Sequence, residues 1–343
     1  MNVTDTTNTA ALIEAATTNV RDMVTLALEH QAPAHALVIY DTEEPLARIL
    51  TEAYRAALPK ATFIDFSTRT KEEIIALCSE QNRGDLVVLI QSSHFRLDEF
   101  RIRLHLFEKG LKVIEHMHLY RNTPESWETY INALAYDPEW YRGTGRRLKS
   151  VLEKTETLRI VGNGAELHIT GGVDEPKLNI GDYTGMDNIG GTFPIGEVFT
   201  EAKELKNMHG SLYIYAFADA SYLVTMHEPF RVDIEEGLIV GYDPNTPQSF
   251  IDVLELVKSY ERPLIREVGF GLNRAITREH YVRDITAFER IHGLHISLGE
   301  KHSVYKKQGI TTHKTKFHVD LFPVVDVVYA DETPIFKDNT YLV

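Results

Sequence analysis

Residues 9–120 alternate between stretches of helical apolar spacing and short runs rich in Val, Ile and Leu, and few folds accommodate that rhythm. The runs at 36–40, 62–65, 85–90 and 111–115 predict strands, and 45–58, 71–79 and 97–109 between them predict helices. Strand, helix and strand repeated in this way build a parallel sheet covered by helices, because parallel neighbours need a crossover between them. The same stretch has no Gly-x-Gly-x-x-Gly turn and no Gly-Lys-Ser/Thr loop. It therefore lacks the backbone cradle that a nucleotide phosphate requires.

From residue 124 to about 155 a polar, aromatic helical stretch leads into a half with a different pattern. Runs at 158–161, 166–170, 211–217 and 229–234 predict strands, and 246–260 and 280–291 predict helices. Asn188-Ile189-Gly190-Gly191 and Asp243-Pro244-Asn245 predict turns. Mostly antiparallel strands with few helices make an α+β domain whose loops converge at one place. A chain of 343 residues is long enough for two domains. The change of pattern puts an α/β domain with a parallel sheet at 1–155 and an α+β domain at 156–343.

A composition of 43% hydrophobic and 25% charged residues supplies an ordinary core. No apolar run approaches the roughly 18 to 20 residues that cross a bilayer, and residues 1–20 have no basic start followed by an apolar stretch. Both features predict a cytoplasmic protein off the membrane. A formal charge of −14, from 36 basic and 50 acidic residues, predicts no nucleic-acid partner and no attraction to anionic lipid. Cys78 is the single cysteine, which excludes an internal disulfide and a multi-cysteine zinc site. A bound metal has to be held by oxygen and imidazole.

Such donors recur in four short segments. In Phe317-His318-Val319-Asp320-Leu321 the alternation of a strand throws His318 and Asp320 to one side, where an imidazole and a carboxylate reach a common point without bending the backbone. Alone, a His-x-Asp pair is more often the polar outer face of a surface strand. Glu267 opens Glu267-Val268-Gly269-Phe270-Gly271-Leu272-Asn273, whose alternate glycines permit close backbone approach around whatever that carboxylate holds; a bulged turn explains them as well. His295 stands in Leu294-His295-Ile296-Ser297-Leu298-Gly299, a setting in which a lone histidine is commonly a satisfied core residue. Glu197 is flanked by Val198 and Phe199, and an acid among apolar neighbours is costly to bury unless paired or metal-bound. His116-Met117-His118 also spaces two imidazoles by two residues, but it ends a predicted strand and has no set of acidic partners, which favours a structural role.

Taken in order, the segments at 196–200, 267–273, 295–299 and 318–320 resemble the motifs of the aminopeptidase T and aminopeptidase S family, over roughly residues 155–343. The resemblance implies two divalent ions, zinc, cobalt or manganese, held in the C-terminal domain by Glu197, Glu267, His295, His318 and Asp320. It also implies a peptide substrate and a homodimer paired through the C-terminal domains. Phe322, Val324, Val325, Val327, Val328, Tyr329, Phe336 and Tyr341 offer surface for that pairing. The family is similar in turn to a ring-opening dihydroxypyridine dioxygenase, which keeps the fold but uses one non-haem iron. Two departures from the peptidases bear on substrate handling. His302 stands where they carry a tyrosine, with Tyr305 three residues later, and the segment between His302 and His318 is shorter.

Three activities follow from these residues. In a metallo-aminopeptidase a metal-activated water attacks the scissile carbonyl, Glu267 is a ligand or proton shuttle, and His302 replaces the tyrosine as donor to the oxyanion. In a ring-cleaving dioxygenase one iron takes a facial set of two histidines and one carboxylate, for which His295, His318 and Asp320 are available. A non-catalytic relative binds peptides in the inherited cleft. Retention of both Glu197 and Glu267 favours two metals and hence the peptidase.

Overall fold

The computed structural model describes residues 3–97, 100–310 and 314–343. The chain divides into two compact units, each assembled from three stretches. The first takes Met1–Tyr141, Gly181–Ile195 and Ala275–Ala287, and the second takes Arg142–Ile180, Gly196–Arg274 and Phe288–Val343. A single cut near residue 155 therefore misses two later returns of the chain to the first unit.

The first unit is built on a five-stranded parallel sheet in the order Thr62–Asp65, Ala36–Tyr40, Leu86–Ile90, Lys112–His116 and Ile189–Thr192. Four of these strands lie where the apolar runs predict them. Leu86–Ile90 is buried along its whole length, which is why it reads as an unbroken apolar run rather than an alternating one. The helix Pro45–Ala57 starts on a proline in its first turn and buries Leu46, Ile49, Leu50, Ala53 and Tyr54 along one stripe. A capping box between Thr70 and Glu73 starts Lys71–Glu80. The helix expected at 97–109 is Ile102–Glu108, and Asp98 and Glu99 lie outside the described residues.

The fifth strand is a correction. Asn188-Ile189-Gly190-Gly191 reads as a turn, yet Ile189–Thr192 pairs in parallel with Lys112–His116. A Cβ on Gly190 would lie 1.9 Å from the Val113 carbonyl oxygen at φ +103°, so the glycine serves strand contact rather than chain reversal. His116 is a satisfied core histidine, with Nε2 at 2.8 Å from the Tyr54 hydroxyl and Nδ1 at 3.0 Å from that of Tyr130. Burial pushes its pKa down to about 3. Cys78 is also core, and burial pushes its thiol up to about 11, away from reactivity.

The second unit carries a 13-stranded antiparallel sheet. From one edge it runs Thr340–Tyr341, Thr333–Lys337, Val327–Ala330, Thr157–Gly162, Ala165–Thr170 and Met208–Ala218. It continues through Val319–Pro323, Gly293–Leu298, Ile265–Gly271, Glu197–Glu201 and Lys177–Asn179. Val224–Glu235 and Leu238–Tyr242 branch from Met208–Ala218. The strands predicted at 158–161, 166–170, 211–217 and 229–234 each fall within one of these, whereas the strand expected from Phe317 begins at Val319. The helix Gln248–Lys258 buries Phe250, Val253, Leu254 and Val257.

Two further expectations change. The glycine-spaced segment after Glu267 is not a turn but part of a strand, Ile265–Gly271, buried at every position. The helix expected at 280–291 shrinks to Ile285–Phe288. Of the C-terminal residues credited to an interface, Phe322, Val328, Phe336 and Tyr341 are buried within this chain itself. Among the described residues no helix is long and apolar enough to cross a membrane.

Candidate metal centre

Four neighbouring strands of the second unit bring their donors to one face. Glu197–Glu201 pairs with Ile265–Gly271, that strand with Gly293–Leu298, and that in turn with Val319–Pro323. Glu197 lies opposite Gly271, His295 opposite Gly269, and Asp320 opposite Ser297. Side chains alternate along each strand, so this register puts Glu197, Glu267, His295 and Asp320 on a common side. His318 stands one residue before its strand. Glu197, Glu267, His295 and Asp320 are all buried, and His318 is partly exposed.

Gly269 makes the slot for His295. A Cβ there would lie 2.1 Å from the His295 Cε1 and 2.3 Å from Nε2, a contact no side chain accepts. The backbone around Glu267 is set by a register shift between Ile265 and Val268, where the Glu267 N–H donates to Ser297 Oγ at 3.0 Å.

His295 Nε2 lies 3.2 Å from Glu197 Oε1 and 3.2 Å from Glu267 Oε1. His318 Nε2 lies 3.2 Å from Asp320 Oδ1. Among the described residues Glu197 Oε1 and Asp320 Oδ1 are nonetheless buried without an aligned hydrogen bond, as is His295 Nδ1. Buried oxygens left in this way are costly unless something else satisfies them. Donor atoms of Glu197, Glu267 and His295 lie within 4.8 Å of one another, as do those of Glu267, His318 and Asp320. Glu267 belongs to both groups.

The electrostatics ask for positive charge. Burial works against a charged imidazole, but Glu197 and Glu267 raise the pKa of His295 well above its usual value. The same opposition holds at His318, where burial lowers and Asp320 raises, and the outcome is about 10. Burial would raise Glu267, yet hydrogen bonds from His295 and His302 hold it well below the carboxylate range. Burial pushes Glu289 up to about 8; Arg290 opposes this, while Glu197 and Asp320 add to it. A cluster that draws protons onto its histidines fits a divalent cation, which would supply the charge and leave the imidazoles neutral. Oxygen and imidazole donors without thiolate suit a divalent cation of the first transition row, without selecting one.

His302 faces the same carboxylate, with Nε2 at 2.7 Å from Glu267 Oε2. Its Nδ1 accepts from the backbone N–H groups of Val304 at 3.2 Å and Tyr305 at 3.4 Å, which leaves the proton on Nε2 in the neutral ring. Tyr305 does not turn toward Glu267. Its hydroxyl lies 2.7 Å from the Glu175 carbonyl and 3.2 Å from that of Phe199.

Sequence reasoning missed two arginines. Arg290 Nη1 donates to Glu197 Oε2, and Nη2 lies 2.7 Å from Glu289 Oε1. Arg266 forms a two-pronged pair with the fully buried Glu201, at 2.8 and 2.9 Å, and also donates to the carbonyls of Glu300 and Tyr305. The one signal for Arg266 was its place beside Glu267 in an otherwise apolar strand, and nothing local singled out Arg290.

No known family profile matches the chain, and no curated protein matches it. Among solved structures it is similar to 2,5-dihydroxypyridine dioxygenase from Pseudomonas putida KT2440, with a TM-score of 0.65 and 16% identity over 98% of each chain. It is also similar to AmpT from Thermus thermophilus, with a TM-score of 0.59 and 14% identity over 96% of this chain and 99% of that one. Identities this low carry the fold and not the reaction. The fold of this chain is thus one that an aminopeptidase, AmpT, and a dihydroxypyridine dioxygenase share.

Proposed function

We propose that this chain is a divalent-metal hydrolase that releases N-terminal amino acids from peptides. The observation that supports this best is the membership of Glu267 in both donor groups, since a carboxylate between two sets of donors suits a pair of ions. Each set has one imidazole and two carboxylates. A mononuclear iron oxygenase of the facial kind needs two imidazoles and one carboxylate around one point. Among the described residues the donor groups join His318 and Asp320 to Glu267 and place His295 in the other group, which supports two ions over the facial set. The likeness to the dioxygenase keeps that activity as the second reading.

Bound at this site, zinc, cobalt or manganese would polarise a carbonyl and bring the pKa of a water toward neutrality. Glu197, Glu267, His295, His318 and Asp320 hold the ions in this reading. Glu267 also takes and returns a proton, and the Nε2–H of His302 holds that carboxylate in position. With Nδ1 anchored by two backbone amides, the Nε2–H of His302 is directed at Glu267 in the resting site, and in this reading it passes from that carboxylate to the developing oxyanion in the transition state.

Metal-loaded protein should release leucine from the N-terminus of a short peptide under nitrogen, and chelation should stop it. No cleavage with zinc, cobalt or manganese, together with oxygen uptake by iron-loaded protein on a hydroxylated pyridine, would replace the hydrolase with the oxygenase. His302→Ala should lower kcat by about 100- to 1000-fold, the usual cost of losing one oxyanion donor, with a much smaller rise in KM. A rise confined to KM would remove His302 from the transition state.

The same reading carries a homodimer. Because Phe322, Val328, Phe336 and Tyr341 are already buried, the half-buried Val324, Val325, Val327 and Tyr329 are what this end of the chain has left for an interface. Light scattering should give twice the chain mass, and a monomer across a wide concentration range would rule the dimer out.

A further inference from the structure

The two donor groups share Glu267 but differ in what else touches them. Glu197 has Oε2 occupied by Arg290, and only Oε1 remains turned toward His295. The Arg290 side chain is 10% exposed, its Nε has no hydrogen-bond partner among the described residues, and its other terminal nitrogen engages Glu289. In the second group the ion-pair partner of Asp320 among the described residues is His318. That difference matters because an imidazole can itself become a metal ligand, whereas a guanidinium cannot and stays charged at any ordinary pH. A cation held by Glu197 has to share that carboxylate with Arg290 and meet its charge in surroundings that screen poorly.

Resting on the two-ion reading above, we infer that Arg290 makes the halves of the centre unequal, so that Glu267, His318 and Asp320 take the first divalent cation and Glu197, Glu267 and His295 take a second one more weakly. Arg290 is here a positioning residue. It orients Glu197 and supplies part of the charge that a second ion would otherwise provide. The protein should therefore hold one ion firmly over a wide range of free metal and a second only when metal is abundant.

Chelator-treated, full-length protein titrated with cobalt, with bound metal measured by equilibrium dialysis and its environment by visible absorption, should fill in two steps about 10- to 100-fold apart, the range a supporting residue commands over metal affinity. Arg290→Gln keeps a donor but removes the charge, and it should tighten the second step by about 10-fold and the first by much less, since the guanidinium acts on Glu197 more than on Glu267 and Asp320. Arg290→Lys keeps the charge and should leave the steps apart. Asp320→Asn should remove the strong step instead. Two equivalent steps in the unaltered protein would overturn the inference, as would a single ion bound both with and without Arg290. A second step that weakens in Arg290→Gln would do the same. If Arg290→Gln does not fold, the two steps of the unaltered protein and their response to Asp320→Asn decide the matter. Absence of any bound cobalt would sink this inference and the hydrolase together. Two unequal steps without peptide cleavage would leave the inference standing and remove the hydrolase alone.

Discussion

Glu267→Gln should leave the purified protein almost free of divalent metal. The substitution keeps size and shape but removes the negative charge from the one carboxylate that belongs to both donor groups. His295 Nε2 and His302 Nε2 lose their charged acceptor in the same step. The loss of affinity should exceed the roughly 10- to 100-fold that a merely supporting residue costs, because a direct donor to both groups is gone. Asp320→Asn and His318→Ala each touch one group and should cost less metal than Glu267→Gln. The strand itself should survive, since its register is held by the backbone ladders to its two neighbours and not by the carboxylate. Elemental analysis of the purified variants, with circular dichroism to check the fold, measures this. Full metal content in Glu267→Gln would move the ions to another place in the molecule.

Gly269→Ala is expected to be the more damaging change to stability, although it adds a single methyl group. That carbon would overlap the His295 ring at Cε1, Nε2 and Nδ1, at 2.1, 2.3 and 2.8 Å. The ring is fully buried and sits under Phe322, with ring centroids 5.9 Å apart, so it has no free space to retreat into. Overpacking of this kind costs about 1–3 kcal/mol and forces neighbours off their preferred rotamers. The expected result is a lower unfolding temperature together with loss of the ion at the His295 half, while Glu267, His318 and Asp320 still bind. A Gly269→Ala protein with unchanged thermal stability and both ions in place would show that His295 does not need the slot.

Four strands of the parallel sheet and the strands at 158–161, 166–170, 211–217 and 229–234 were legible because the period of a strand or a helix is written in consecutive residues. The pairing of His318 with Asp320 was legible for the same reason, since two residues apart in an extended chain means one side. The glycine at 190 misled and the one at 269 left two readings open, because a local window cannot distinguish a glycine that reverses the chain from one that lets another segment come close. At Gly190 the close neighbour is Val113, and at Gly269 it is His295.

By itself, then, the sequence determined the kinds of element, the absence of thiolate ligands, and a set of oxygen and imidazole donors spread over four segments. Their convergence was decided by tertiary structure. Opposite positions such as Glu197 with Gly271 and Ser297 with Asp320 are set by ladders between segments far apart in the chain, and a slip of one residue would turn each donor to the other face of the sheet. Arg290 shows the limit most clearly. In sequence it is an unremarkable charge beside Glu289, and it becomes part of the centre only because the ladder brings Glu197 within reach of its guanidinium. Alternation within a strand is a local property of the backbone, whereas register between strands is a property of the whole sheet.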